Sequence, residues 1–371
     1  MKFRRDAPAV LICTVLVVVV SLSIISHRLF RGLTSSIEES LFGMMRSILE
    51  FNLRRAEDRA LGQAEMIADL PAIRKLFAAQ DRPGLLAETR KMFQVQNQKY
   101  GIDQAQFHLP PAISFLRLHD PDNFGDDLSA VRPLVVAVNR EQTSKKGFAL
   151  ARDGPAIFGV TSVKDAQGNH LGSFEIGEEF GAVLDGLKNG YGLESALFLS
   201  EAPLKEFGKG VRSEVFSDQN RVGKYIRFCS TNSALLKALI FDRDLTNMEG
   251  GNLTREALGV PYGVILYPVW NGTGEAIGMI ALAMDFSKSR SAEMRTLVWQ
   301  VFFTLSAVVL LSGAILILLR GKLLRPLEEL SKCFAALAEG DKSQQPPEKA
   351  DLCDELTSLA QHYERLRKKD G

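Results

Sequence analysis

Two stretches of this chain run uncharged for long enough to cross a lipid bilayer, and they constrain everything between them. Ala7 to Ser26 holds twenty uncharged residues, including Val15-Leu-Val-Val-Val-Val20, and Leu297 to Leu319 holds twenty-three. At ~1.5 Å rise per helical residue, each reaches across the ~30 Å of a hydrocarbon core. A helix buried in a soluble core is usually shorter and keeps a polar stripe, so the second stretch reads as transmembrane. For the first, a cleavable signal peptide is the competing reading. Its apolar run is long for that, and the exit Ser23-Ile-Ile-Ser-His-Arg28 has no Ala-x-Ala-like cleavage site, so it reads as an uncleaved anchor.

Basic residues set the expected orientation. Lys2, Arg4 and Arg5 precede the first span, and Arg320, Lys322 and Arg325 follow the second. The positive-inside rule places both clusters in the cytoplasm, against the opposing pull of His27, Arg28 and Arg31. The expected layout is a cytoplasmic N-terminus at 1–6, spans at 7–26 and 297–319, an external segment at 27–296 and a cytoplasmic tail at 320–371. Of the four cysteines only Cys229 is then external, so the outer segment must hold together by packing rather than by an internal disulfide. A net charge of +1 in 371 residues argues against nucleic acid as a partner. No Cys/His spacing suits zinc, and no cofactor is expected.

After the first span, Ile37, Leu41, Met44, Ile48 and Phe51 form one apolar seam of a long helix, able to pack on its own domain or on a second copy. A break is expected at Leu70-Pro71, and the turn Asp81-Arg-Pro-Gly84 precedes another helix to about Tyr100. Residues 104–175 then read as strands around a loop at Asp120–Asp127, with a short helix expected over Ser129–Gln142.

The most telling internal feature is a repeat. Val163-Lys-Asp-Ala-Gln-Gly168-Asn-His-Leu171-Gly172 recurs as Val269-Trp-Asn-Gly-Thr-Gly274-Glu-Ala-Ile277-Gly278, every match offset by 106 residues. Both copies read as a hairpin with glycine in its turn, which points to tandem copies of one α+β sheet unit, about 100–180 and 190–290.

With the long first helix, these units and the string Gln106-Phe-His-Leu-Pro110…Phe115-Leu-Arg-Leu-His119-Asp-Pro121…Phe124-Gly-Asp-Asp-Leu-Ser129…Arg132, residues 30–295 resemble the double Cache family of bacterial extracytoplasmic sensor domains. The resemblance implies two PAS-like units, an inner-membrane location and a small-molecule pocket, usually in the membrane-distal unit, here the first. Amino-acid-binding members carry an aromatic-and-arginine motif. The Leu128–Asn139 segment has Arg132 but no flanking tyrosine or tryptophan, so the ligand class does not carry over. Residues 320–368 resemble a HAMP linker. Leu327, Leu330, Phe334 and Leu337, then Leu356, Leu359, Tyr363 and Leu366, step by 3, 4 and 3 as the a/d seams of a parallel coiled coil, and imply a homodimer. The connector Lys342-Ser-Gln-Gln-Pro-Pro347 lacks the usual hydrophobic anchor.

Arg117, His119, Asp126, Asp127 and Arg132 form the densest polar cluster near the implied pocket, with Glu175 on a later strand. Guanidinium groups suit a carboxylate ligand, while the plainer reading is that the aspartates neutralise the arginines and brace the loop. His108 and His119 as a metal pair lack a third ligand and read better as structural. No Gly-x-Ser-x-Gly, phosphate-binding glycine loop or His-Glu-x-x-His occurs, and about fifty tail residues are too few for a kinase or cyclase. The expected protein is a non-enzymatic transmembrane receptor that signals through a separate kinase, cyclase or chemoreceptor partner. A membrane-tethered binding subunit, or a receptor that has lost its output domain, stays open beside it.

Overall fold

The structure is a computed structural model and describes residues 3–246, 249–271, 274, 276–347 and 354–369. It has two compact units, Ile37–Lys288 and the combination of Met1–Ser36 with Ser289–Gly371.

In the first of these, helix α1 (Phe3–Ala68) supplies its C-terminal half, followed by α2 (Pro71–Ala78) and α3 (Arg82–Tyr100). The expected break falls where Pro71 opens α2 with its fixed φ, and Asp81 caps α3 by accepting from the Gly84 amide at 2.9 Å. Strands β1 (Ile102–Leu109) and β2 (Ile113–Arg117) precede α4 (Pro133–Glu141), β3 (Lys145–Ala151), β4 (Gly154–Lys164) and β5 (His170–Glu179). These make an antiparallel sheet of order β2-β1-β5-β4-β3. Helix α5 (Phe180–Tyr191) leads to β6 (Glu194–Ser200), α6 (Glu201–Phe207), β7 (Arg221–Val222), β8 (Tyr225–Ser230), α7 (Ser233–Leu239) and α8 (Asp242–Thr246). Strands β9 (Gly251–Ala257), β10 (Val260–Trp270) and β11 (Ala276–Asp285) complete a second sheet, β7-β8-β6-β11-β10-β9. The helix expected over Ser129–Gln142 is shorter, because Pro133 starts it and holds Arg132 before it in a non-helical conformation.

The repeat is structural as well as sequential. Hairpins β4–β5 and β10–β11 begin and end at positions 106 apart. Their turns need positive φ at Gly168 (87°) and Gly274 (82°). Gly172 and Gly278 each lie flat against the neighbouring strand, where an added Cβ would sit 2.1 Å from the His108 carbonyl oxygen and 2.2 Å from that of Phe198. The C-terminal half of α1 packs on both modules with Met45, Leu49, Ala56, Ala60 and Ala64, all buried. The seam through Ile37, Met44 and Phe51 faces away from them and is exposed.

In the other unit, the start of α1 lies against α9 (Ser287–Leu318), where Gln300 Nε2 donates to the Ser23 carbonyl at 2.6 Å and the Thr304 and Ser23 hydroxyls meet at 3.1 Å. Both helices are long and apolar enough to cross a membrane. A π-helical turn, Leu319–Leu324, leads into α10 (Arg325–Ala338), which pairs with α11 (Asp354–Lys369). Leu330 buries against Leu356 and Ala360, and the Phe334 and Tyr363 rings meet edge-on at 5.2 Å. The described part of the connector docks through its backbone: the Gln344 carbonyl accepts from the Tyr363 hydroxyl at 3.0 Å, and that of Gln345 from Cys333 Sγ at 3.4 Å. Leu327, Leu359 and Leu366 stay exposed and Leu337 half-buried.

Candidate functional site

Beyond the bulge at Ile102–Gln104, strand β1 alternates from Gln104 to His108. Ala105 and Phe107 enter the apolar core beneath α2 and α3, which puts Gln104, Gln106 and His108 on the opposite face. Register extends that face sideways. Gln106 pairs with Glu175 and His108 with Ser173 on β5, while Arg117 and Ser114 of β2 flank them on the other side. All seven side chains are buried. Towards β3 and β4 the same face turns apolar, with Ala156, Phe158 and Val160 covered by Val135 and Val138 of α4. The first sheet therefore buries a polar strip beside an apolar one.

Arg132, fixed just ahead of α4 by Pro133, reaches down onto the strip. Its Nη2 donates to Glu175 Oε1 at 2.5 Å, and its guanidinium carbon sits 4.1 Å from the centre of the Phe158 ring. His108 Nε2 lies 3.2 Å from the same carboxylate oxygen. Burial works against ionisation of Glu175, but Arg132 and then His108 outweigh it and hold the carboxyl down to about 2. Arg117 serves the loop, donating to the Asn123 carbonyl at 2.6 Å and to Asp126 Oδ2 at 2.8 Å. That hydrogen bond holds the Asp126 carboxyl below its usual range. Asp127 accepts from the Ser129 amide at 2.9 Å and braces the same loop. His119 accepts from the Ala105 amide at 3.4 Å and lies 3.7 Å from Asp153; burial foremost keeps it below the ordinary imidazole range.

Arg132 and Glu175 thus meet in one pair and Arg117 and Asp126 in another, with His119 beside them. Among the described residues no three His, Cys, Asp or Glu side chains converge as a metal site, and His108 faces Glu175. What the residue types alone did not single out is the strip itself. Gln104 Nε2, His108 Nδ1 and Ser173 Oγ are buried there without a hydrogen-bond partner among the described residues. Leaving a buried polar group unpaired costs about 1–3 kcal/mol, so three on one strip call for a ligand or ordered water. The open space beside Arg132 and Glu175 is about 10 Å³.

The second module lacks this strip. At the offset of 106, Ser173, Glu175 and Gly177 become Met279, Ala281 and Ala283. Strand β6 pairs there with Ala196 and Phe198 where β1 has Gln106 and His108. That face is filled by Leu235, Leu236 and Leu239 of α7.

A family model described as the double sensory domain of two-component sensor kinases, dCache_3, matches residues 34–288. The chain belongs to this double Cache family. No curated protein matches it. Solved structures resemble this double Cache chain only loosely. The extracellular ligand binding receptor from Desulfohalobium retbaense is 13% identical, over 64% of this chain and 39% of that one, with a TM-score of 0.36. The ligand-binding domain of Pseudomonas fluorescens chemoreceptor CtaA, solved with L-serine, is 14% identical over 67% and 98%, at 0.36. The sensor domain of the Vibrio cholerae histidine kinase DctB is 10% identical over 69% and 98%, at 0.41. The chain spans about two fifths of the first, and at these scores no ligand transfers from any of them.

Proposed function

We propose that this chain is a two-span membrane receptor whose first, membrane-distal module binds a small polar molecule on the strip formed by Gln104, Gln106, His108, Ser173 and Glu175, with Arg132 and Arg117 at its edge. The observation that carries this reading is the contrast between modules: one repeat position is polar, buried and incompletely hydrogen-bonded in the first and packed with hydrocarbon in the second. Space of about 10 Å³ admits no more than about one water, so ligand entry must displace Arg132 from Glu175 and lift α4 with the loop before it. That displacement is the signal. It passes to a non-enzymatic tail, residues 320–368, acting as a HAMP-like pair in a homodimer, with residues 27–296 outside the membrane and both termini in the cytoplasm.

Two unsatisfied apolar surfaces support the homodimer. On α1 the exposed Ile37, Met44 and Phe51 recur every seven residues, the spacing of a helix-to-helix seam. On α10 and α11, Leu330, Phe334, Leu356 and Tyr363 pack within one chain and leave Leu327, Leu359 and Leu366, with half of Leu337, to face another. A simple tether would not need these seams, and so signalling to a separate cytoplasmic partner is favoured over a passive binding subunit. The test is a thermal-shift screen of the full chain in nanodiscs against organic acids, amines, amino acids and nucleobases. A ligand at 100 times its Kd stabilises by about 2.7 kcal/mol. The shift is expected to vanish in His108→Leu and Ser173→Ala and to survive in Met279→Leu. Retention of the full shift in both strip variants would refute the site.

A further inference from the structure

A cavity of about 500 Å³ opens between the two modules along α1, away from the polar strip. Its size falls within the range of small-molecule pockets, and a junction between domains is a common place for one. Leu53, Phe148, Phe180 and Ile280 give it an apolar floor. One wall is aromatic, with Tyr267 and Trp270 of β10, and Trp270 is 51% exposed. The facing wall is one side of α1, where Glu50, Arg54 and Glu57 follow at helical spacing, joined by Lys146 from β3.

The carboxylates of this wall are not all paired. Lys146 is taken up by an ion pair with Asp58 and lies 4.0 Å from Glu57. Neither Glu50 nor Arg54 has an ion-pair partner within 4 Å among the described residues. Glu50 is thus left without an ion pair, and Glu57 shares Lys146 with Asp58. Burial raises the Glu57 carboxyl, and neither Lys146 nor Arg54 repays it; burial, with Glu50 next, raises the Tyr267 phenol. Both shifts report a partly dehydrated wall whose cations, Arg46 and Arg54 beside Tyr267, do not outweigh burial.

We propose that this inter-module cleft is a second binding site, and that it takes an amphipathic organic cation, an ammonium group on a flat apolar body. The apolar body covers Leu53, Phe148 and Ile280. The ammonium lies against the Trp270 and Tyr267 faces, where the ring quadrupoles attract it, and within reach of Glu50 and Glu57. A cation there gives Glu50 the ion-pair partner it lacks among the described residues. A ligand touching α1, β3 and β10 together also sets how the two modules lie against each other, and it does so without occupying the first module's strip.

The test is calorimetric titration of the full chain in nanodiscs with phenethylamine and phenyltrimethylammonium, and with phenylacetate, which has the same ring and the opposite charge. Both amines are expected to bind and phenylacetate not to. Trp270→Ala weakens amine binding about 2- to 30-fold, the range a lost cation–π contact corresponds to, and Glu50→Gln weakens it by removing the carboxylate, each with unchanged melting of the unliganded protein. His108→Leu leaves it unaltered, which separates this site from the proposed strip. Absence of heat with either amine, equal binding of phenylacetate, or binding abolished by His108→Leu but untouched by Trp270→Ala and Glu50→Gln would each overturn the assignment.

Discussion

Replacing Arg132 by Met tests the electrostatics of the strip most directly. Glu175 is almost wholly buried, and its main countercharge is the guanidinium 2.5 Å away. Methionine keeps most of the volume and the contact with Phe158 but removes the charge. Breaking a buried ion pair from one side costs about 3–5 kcal/mol, because the remaining ion stays buried. In a folding unit of this size each kcal/mol moves Tm by about 2–4 °C, so at pH 7.5 a drop of about 6–20 °C is expected. The sign of the pH dependence is the sharper prediction. In the natural protein the Glu175 carboxyl is held down to about 2, below its unfolded value of ~4.3. Its contribution is therefore complete above the unfolded value and is lost only as pH falls from there towards 2. Without Arg132, burial dominates and the folded carboxyl rises above its unfolded value. The penalty is then largest at high pH and fades as pH falls through the folded value to the unfolded one. The gap between natural and variant proteins should narrow between pH 7.5 and 5, and Arg132→Met combined with Glu175→Leu should recover most of the loss. Thermal melts of the full chain in nanodiscs, followed by tryptophan fluorescence, measure this. An equal gap at both pH values, or a double variant losing the sum of both single losses, would refute the argument.

Four further outcomes are expected. Reporter fusions at Arg4 and Leu366 should read cytoplasmic and one at Lys224 external; an external reading at Leu366 removes the two-span topology. In a cysteine-free background, Cys at Met44 should crosslink between chains in membranes and Cys at Met45, one residue on and buried, should not. Cys at Leu359 or Leu366 should crosslink while Cys at Leu330 should not, and equal crosslinking at all positions would remove the dimer seams. Asp103, on the β1 bulge, has its carboxyl raised to about 7 by burial, with Glu179 next. A raised carboxyl destabilises progressively as pH climbs from ~3.9 to 7, so Asp103→Asn should stabilise the fold at pH 8 by up to about 4 kcal/mol and leave Tm unchanged near pH 4; no gain at pH 8 would show that the carboxyl is well solvated.

Much of the architecture was legible because it depends on local signals. Uncharged runs mark the two apolar helices, Pro71 and Gly84 mark helix starts, and the repeated glycines mark hairpins whose geometry leaves no alternative to glycine. The polar strip was less legible, because attention to charge favours Arg117, His119 and Asp126, which the fold spends largely on holding the loop after β2. The residues left unpaired are a glutamine, a histidine and a serine, types that are unremarkable one at a time. Their signal lies in pattern: Gln104, Gln106 and His108 alternate with the apolar Ala105 and Phe107, which means a polar face that the fold then buries. The α1 seam was visible by its period, yet period cannot tell inward from outward. Met45 and Leu49, one residue out of phase with Met44 and Ile48, are the positions that the two modules cover.

The 106-residue offset turns the two modules into a natural comparison at constant backbone. Register, turn glycines and the close strand contacts at Gly172 and Gly278 are the same, so differences on the sheet face cannot come from the scaffold. Replacing Ser173 and Glu175 by Met and Ala at the equivalent positions, and Gln106 and His108 by Ala and Phe, exchanges groups that are costly to bury for groups that gain from burial, about 25 cal/mol per Å² of apolar surface. Stability alone would drive both modules to the second solution. The first module keeps the costly one, including atoms left unpaired among the described residues, a cost that a bound ligand or ordered water would offset.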